Sequence, residues 1–211
     1  MGVKVEDQAP TGAAGSKTPR TARGERTLRK ILDAARDEFG QHGFSDSSIV
    51  GITQRAGVAL GTFYTYFESK ESLFQALVRD MSAQVAATAA PAFVGDAHAL
   101  DAARHGLELF LKFAREHRDV YRIIDEAEFV DPAAYREHYE TTASRITARL
   151  ITARQKGEIA ADLSDEELEI LAWASMGANV FLGLRYSVWA SADSNRVAAV
   201  ANRLLRKGLS A

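Results

Sequence analysis

From Thr27 the apolar positions Leu28, Ile31, Ala35 and Phe39 recur at helical spacing, with Arg29, Arg36 and Asp37 off that face. The pattern predicts a first helix ending near Gly40 to Gly43. A second short segment places Ile49, Ile52 and Ala56 on one face, and Gly57 after it supplies the left-handed residue that closes a helix. A third, from about Leu60 to Phe67, puts Phe63 and Phe67 on a common inward face and turns Thr62, Tyr64, Thr65 and Tyr66 outward. Two short helices hinged at a glycine, the second displaying hydroxyls and aromatics, read as a DNA-binding helix-turn-helix. Ser45, Asp46, Ser47 and Ser48 crowd its entrance, where Ser47 or Ser48 is expected both to cap the helix and to face phosphate.

Beyond it the period stays helical. Helices are expected over residues 72–91, 97–116 and 118–129, then from Pro132 toward Gly157. Ser164 with Glu167 forms a capping box opening a long apolar helix to Trp189, and a last helix covers residues 194–207. No alternating strand pattern occurs, so the expected fold class is all-α: an N-terminal three-helix DNA-binding unit and a larger helical C-terminal unit. The boundaries are drawn at 1–23 (a disordered basic arm), 24–71 and 72–211.

Composition narrows the function classes. With 211 residues and 46% hydrophobic content the chain can bury a core, and the absence of cysteine excludes a disulfide framework and fits a cytoplasmic protein. No stretch has the length of a membrane helix, so no membrane partner is expected, and the first ten residues lack the apolar core of a signal peptide. The net charge of -2 hides an asymmetry: residues 1–70 carry ten Lys/Arg against eight Asp/Glu, and residues 71–211 sixteen against twenty. Six basic residues lie between Lys17 and Lys30 with only Glu25 among them, either a solvated tail or an arm that neutralises phosphate. No GxSxG, phosphate-cradling glycine loop, HExxH or metal-ligand spacing occurs, which argues against an enzyme and leaves no cofactor or metal to expect.

The span from Leu28 to Val78 resembles the N-terminal domain of the TetR family of transcriptional regulators. The resemblance is carried by Gly43-Phe44, Ser47, Ile52, Ala56-Gly57-Val58, the run from Gly61 to Phe67, and Lys70 with Leu73. It implies that Ser47, Thr62, Tyr64, Tyr66 and Lys70 hold the DNA backbone while Ala59, Leu60, Gly61 and Thr65 approach base edges. Leu60 departs from the family's usual polar residue and reads only by apolar contact; Gly51, in mid-helix, costs about 1 kcal/mol relative to alanine.

The C-terminal unit is expected to hold a lipophilic effector and to dimerise. Polar candidates for the pocket are Arg104, His105, Glu108, Arg122, Glu126, Tyr135, His138, Tyr139 and Asn179, with Phe110, Phe113, Phe129, Met176 and Phe181 as its apolar lining. The helix from Leu168 to Trp189 is apolar on nearly every side. Trp173, Gly177, Val180 and Leu184, with Val197, Val200 and Leu204 of the last helix, are expected to form a four-helix homodimer interface. Two recognition helices set about 34 Å apart would then read a palindromic operator in double-stranded DNA. The expected function is a ligand-released dimeric repressor, with the helix over 72–91 as the lever; the alternative is a carrier or enzyme that binds no DNA.

Overall fold

A computed structural model describes residues 21–209, and among them every regular element is helical. The first helix, α1 (Ala22–Asp46), starts five residues before the expected Thr27, so residues 22 and 23 of the arm are helical; the arm's earlier residues lie outside the described chain. Two local effects extend it. The Thr21 hydroxyl accepts from the Gly24 N–H, and Glu25 places an anion in the first turn. Gly43 interrupts the helix near its end with φ 81° and ψ 169°, a conformation open essentially to glycine alone.

The head is completed by α2 (Ile49–Ala56) and α3 (Leu60–Tyr66). Gly57, at φ 64°, turns the chain between them and Val58 packs onto the core. Gly51 has a packing reason beyond helix propensity: a Cβ there would stand 2.8 Å from the Glu38 carboxylate. That carboxylate is buried under α2, where Arg55 reaches it at 3.1 Å. Ser69 caps α4 (Lys70–Ala89) reciprocally with Ser72, and a 3-10 turn (Ala90–Phe93) follows.

The remaining helices are α5 (Ala99–Glu116), α6 (Asp119–Val130), α7 (Pro132–Gln155), α8 (Asp165–Gly183) and α9 (Ser194–Leu209). Asp131 accepts from the N–H groups of Ala133 and Ala134 to start α7, and the Ser164–Glu167 capping box starts α8 as expected. Past Gly183 the chain widens into a π turn (Leu184–Val188), closed by the Trp189 N–H on Leu184 O, rather than continuing as α-helix to Trp189.

One hydrophobic cluster crosses the boundary drawn at residue 71. Ile31, Ala35 and Phe39 of α1 meet Ile52, Phe63 and Phe67, then Leu73, Phe74 and Leu77 of α4, and the cluster continues through Ile123, Ile124 and Ala127 of α6 to Ala134 of α7. The head is therefore welded to the helices behind it by apolar burial, so a movement of α4 or α6 displaces α1 as well.

Candidate nucleic-acid interface and effector cavity

Helix α3 exposes a short, uncharged surface. Phe63 and Phe67 are buried at 0% and 1%, which fixes the helix's rotation and leaves Leu60 at 45% and Tyr64 at 51% exposure. Ala59, Gly61 and Thr65 are also exposed, and Thr62 is partly so. A Cβ on Gly61 would meet nothing within 4 Å, so no intramolecular contact demands a glycine there. Its bare backbone leaves room for another molecule to approach. Ser48 is exposed at the start of α2, with its Oγ accepting from the Gly51 N–H and its own proton free to donate.

Three residues expected to hold phosphate are occupied within the chain. Ser47 is only 4% exposed, and its hydroxyl donates to the Gly43 carbonyl at 2.6 Å; it closes the interruption in α1 instead of facing outward. The Tyr66 hydroxyl donates to Gly24 O at 3.2 Å and ties α3 to the first turn of α1. Lys70 Nζ donates to Phe44 O at 2.7 Å and Ser47 O at 2.8 Å and lies over the Phe44 ring. A cation in the first turn of α4 opposes the helix dipole, and the negative ends of these carbonyl dipoles offset that cost. Of the residues expected to meet DNA, those left exposed or partly exposed and not tied up within the chain are Ser48 and residues 59–62, 64 and 65.

Behind the head, α4 to α9 enclose a cavity of about 230 Å³. Of the candidates, Arg104, Phe110, His138, Tyr139, Met176 and Asn179 line it. The others do not, each for a visible reason. Glu108 turns to Lys112 at 2.7 Å and Asn195 at 3.1 Å, and His105 points outward beside it. Phe113 packs on His117, and Tyr135 packs on Tyr139 behind the wall. Phe129 and Phe181 are 84% and 70% exposed. Arg122 and Glu126 face α1.

The polar lining that sequence reasoning missed comprises Tyr121, Asp125, Thr142, Arg145, Arg149, Ser175 and Asn202. The signal for two of them is the inward stripe of α7, which runs by successive turns from His138 and Tyr139 to Arg145 and Arg149, beside the apolar Ile146 and Leu150. Tyr121 donates to Val180 O at 2.9 Å, a closeness that Gly183 permits, since a Cβ there would stand 2.0 Å from the phenol oxygen. Burial pushes the phenols of Tyr121 and Tyr139 and the carboxyl of Asp125 up. Burial, helped by Arg145, lowers the His138 imidazole to about 4. It is therefore neutral at pH 7. Ser82 Oγ donates to Val78 O and stands 2.6 Å from His138 Nδ1, so the ring supplies that proton and keeps Nε2 as an acceptor.

Residues 31–77 match the family model described as bacterial regulatory proteins, tetR family. The regulator UidR of Escherichia coli K12 is 27% identical over 180 residues, which cover 83% of this chain and 86% of UidR. The regulator YdgC of Bacillus subtilis 168 is 36% identical over 64 residues, covering 30% of this chain and 33% of YdgC. The chain belongs to the TetR family of transcriptional regulators. The fatty acid degradation regulator FadR of Bacillus halodurans shares the all-helical fold at TM-score 0.73 and 17% identity, over 85% of this chain and 94% of that one.

In this TetR-family chain α6 has two working faces. One lines the cavity through Val120, Tyr121, Ile124 and Asp125. The other grips α1: Asp119 meets Arg36 at 3.2 Å, Arg122 donates to Gly40 O and Gln41 O at 3.0 Å, and Glu126 accepts the Phe44 N–H at 2.8 Å. Gly43 must lack a side chain here, because a Cβ would lie 2.6 Å from the Glu126 carboxylate. Helix α4 also joins cavity and head, from Val85 and Ala86 to Lys70. On the far side, Ile170, Trp173, Ala174, Ala178 and Phe181 form an exposed stripe along α8 with Gly177, partly buried, among them, and Val200 and Leu204 are exposed on α9. Val180 turns inward to the cavity, and Leu184 and Val197 are partly buried within the chain, so these three expected interface positions are not on the open face. Among the described residues no helix is long and apolar enough to cross a membrane, and no cluster of candidate metal ligands occurs.

Proposed function

We propose that this TetR-family regulator is a homodimeric repressor that leaves a palindromic operator when a small lipophilic effector fills the cavity. Residues 24–71 read DNA, with Ser48, Ala59, Leu60, Gly61, Thr62, Tyr64 and Thr65 at the contact surface. Residues 72–211 hold effector and partner copy, and the protein works in the cytoplasm beside its DNA. Trp173, Gly177, Val200 and Leu204, joined by Ile170 and Phe181, form the dimer face. The observation that carries this reading is α6, which lines the cavity on one face and clamps the Gly40–Phe44 end of α1 on the other. An effector that binds better when α6 is displaced lowers operator affinity by that difference in binding free energy.

The experiment is a mobility-shift assay on the DNA flanking the protein's own gene, with full-length chain. Retention should be specific, fall with salt, and drop at least about tenfold for Tyr64→Ala, a loss of about 1.4 kcal/mol. Tyr64 is exposed and anchors no core, so the variant folds. Unchanged affinity would overturn the contact surface.

A further inference from the structure

The cavity's charges are not balanced. Arg145 and Arg149 stand one turn apart on α7 and both line the cavity, Arg145 exposed at its mouth and Arg149 half-buried. The Arg149 guanidinium stacks 3.5 Å over the Phe93 ring. That ring is seated against α5 at Gly106, where a Cβ would come within 3.0 Å of it. Stacking occupies the face of a guanidinium and leaves its N–H edge for an acceptor. Among the described residues neither arginine pairs with an acid or donates to a protein acceptor.

Arg104, from α5, is a third cation in the lining, 3.9 Å from Glu108. The acid of the lining is Asp125, on α6 next to Tyr139. Tyr139 precedes Arg145 by six residues and Arg149 by ten on α7, about 9 and 15 Å along the helix, and among the described residues Asp125 forms no ion pair with either arginine; its carboxyl is raised by burial and by Glu128. Asn202, 4% exposed in the same wall, leaves its side-chain carbonyl without a hydrogen-bond partner, a further polar position for a ligand. Neutral polar groups (Tyr121, His138, Tyr139, Thr142, Ser175, Asn179) interrupt a wall whose larger part, including Phe110, Ile124 and Met176, is apolar. At about 230 Å³ the space lies below the roughly 300–1,000 Å³ of drug-sized pockets, which selects a compact molecule.

We propose that the cavity receives a compact carboxylate amphiphile, its anionic head between Arg145 and Arg149 at the mouth and its apolar body among Phe110, Ile124 and Met176. This rests on reading the cavity as the effector site. Arginine forks match carboxylate oxygens in pairs, and two adjacent like charges are relieved by an anion between them. An alcohol gains neither effect, and an amine is repelled.

The test is calorimetric titration of the full-length protein with two matched series: 2-naphthoate, 2-naphthalenemethanol and 2-naphthylmethylamine; and decanoate, 1-decanol and decylamine. At least one carboxylate should bind about tenfold or more tighter than the alcohol of its own skeleton, with the amine weakest. Arg145→Gln with Arg149→Gln should erase that preference while leaving alcohol affinity unchanged; Arg145→Gln alone, at an exposed position, covers the case where the double variant fails to fold, and should reduce the preference. The proposal falls if alcohol or amine binds as tightly as the carboxylate, if the preference survives the arginine substitutions, or if neither carboxylate binds. 2-Naphthyl phosphate, run alongside, should bind no tighter than 2-naphthoate; tighter binding would overturn the carboxylate assignment. A carboxylate that binds with the expected preference yet leaves operator retention unchanged sinks the effector reading and spares the anion site.

Discussion

At the scale of single residues, what could be read in advance was what depends on near neighbours. Gly57 and Val58 form a turn whose reasons lie within five residues, and the inward pair Phe63 and Phe67 follows from helical period alone. The internal partners of Tyr66 and Lys70 are not legible that way because they are remote: Lys70 closes on Phe44 and Ser47, more than twenty residues back, and Tyr66 on Gly24, forty-two residues back, while Ser47 closes on Gly43 across an interruption that helical period does not show. Exposed hydroxyls and ammonium groups look alike in sequence whether they end on phosphate or on carbonyls. Gly61 separates the two cases, since nothing in the chain requires it. Gly61→Ala should leave melting unchanged or raise it, because alanine is favoured over glycine in a helix by about 1 kcal/mol. The same change should weaken operator retention at least about tenfold by standing between backbone and DNA. Loss of thermal stability together with undiminished DNA affinity would show that the glycine serves the fold instead.

At the scale of elements, helical period located most of α5 to α9 but not which of their polar residues face inward. Arg122 and Glu126 sit one turn apart on α6, a spacing equally compatible with a pocket or an outer face; the pair lies on the opposite face from Tyr121 and Asp125. An element with two occupied faces offers no single polar side to recognise. Its coupling role is open to test without any effector. Operator binding should change hydrogen-exchange protection across residues 119–127, and Glu126→Ala, which leaves the Phe44 N–H without its acceptor, should shrink that change while costing about 1–2 kcal/mol of stability. Equal responses in both proteins would remove α6 from the transmission path. Helix α7 is pinned to α4 by the Ser82–His138 contact, and here protonation matters. The folded imidazole titrates near 4 and the unfolded one near 6.5, so between those values the unfolded chain binds the extra proton and stability falls as pH falls. The loss should approach about 3 kcal/mol at most by pH 4, and His138→Gln should flatten that part of the melting-against-pH curve.

At the scale of the whole molecule, the apolar character of α8 announced burial on more sides than one chain supplies, but not which residues lie on which side. Met176 and Val180 face the cavity, while Ile170, Trp173 and Phe181 remain in the open with Val200 and Leu204. The division follows from packing: α8 rests on α7 and α5, α9 rests on α5, and the stripe facing neither is uncovered. Gly177, with open space where a Cβ would stand, and Ala178 lie within it, and this exposed apolar patch is the face that the proposed dimer would cover. A seven-residue reading helix with little charge binds weakly alone, so operator affinity in the proposed dimer comes from tethering two heads at a fixed separation. Trp173→Glu places a charge on the stripe without touching cavity or head. By light scattering it should move the protein toward monomer, and operator retention should fall about a hundredfold or more, although each head remains folded. A variant that stays dimeric with full operator affinity would place the partner on another face; a monomer that still holds the operator tightly would mean that one head suffices.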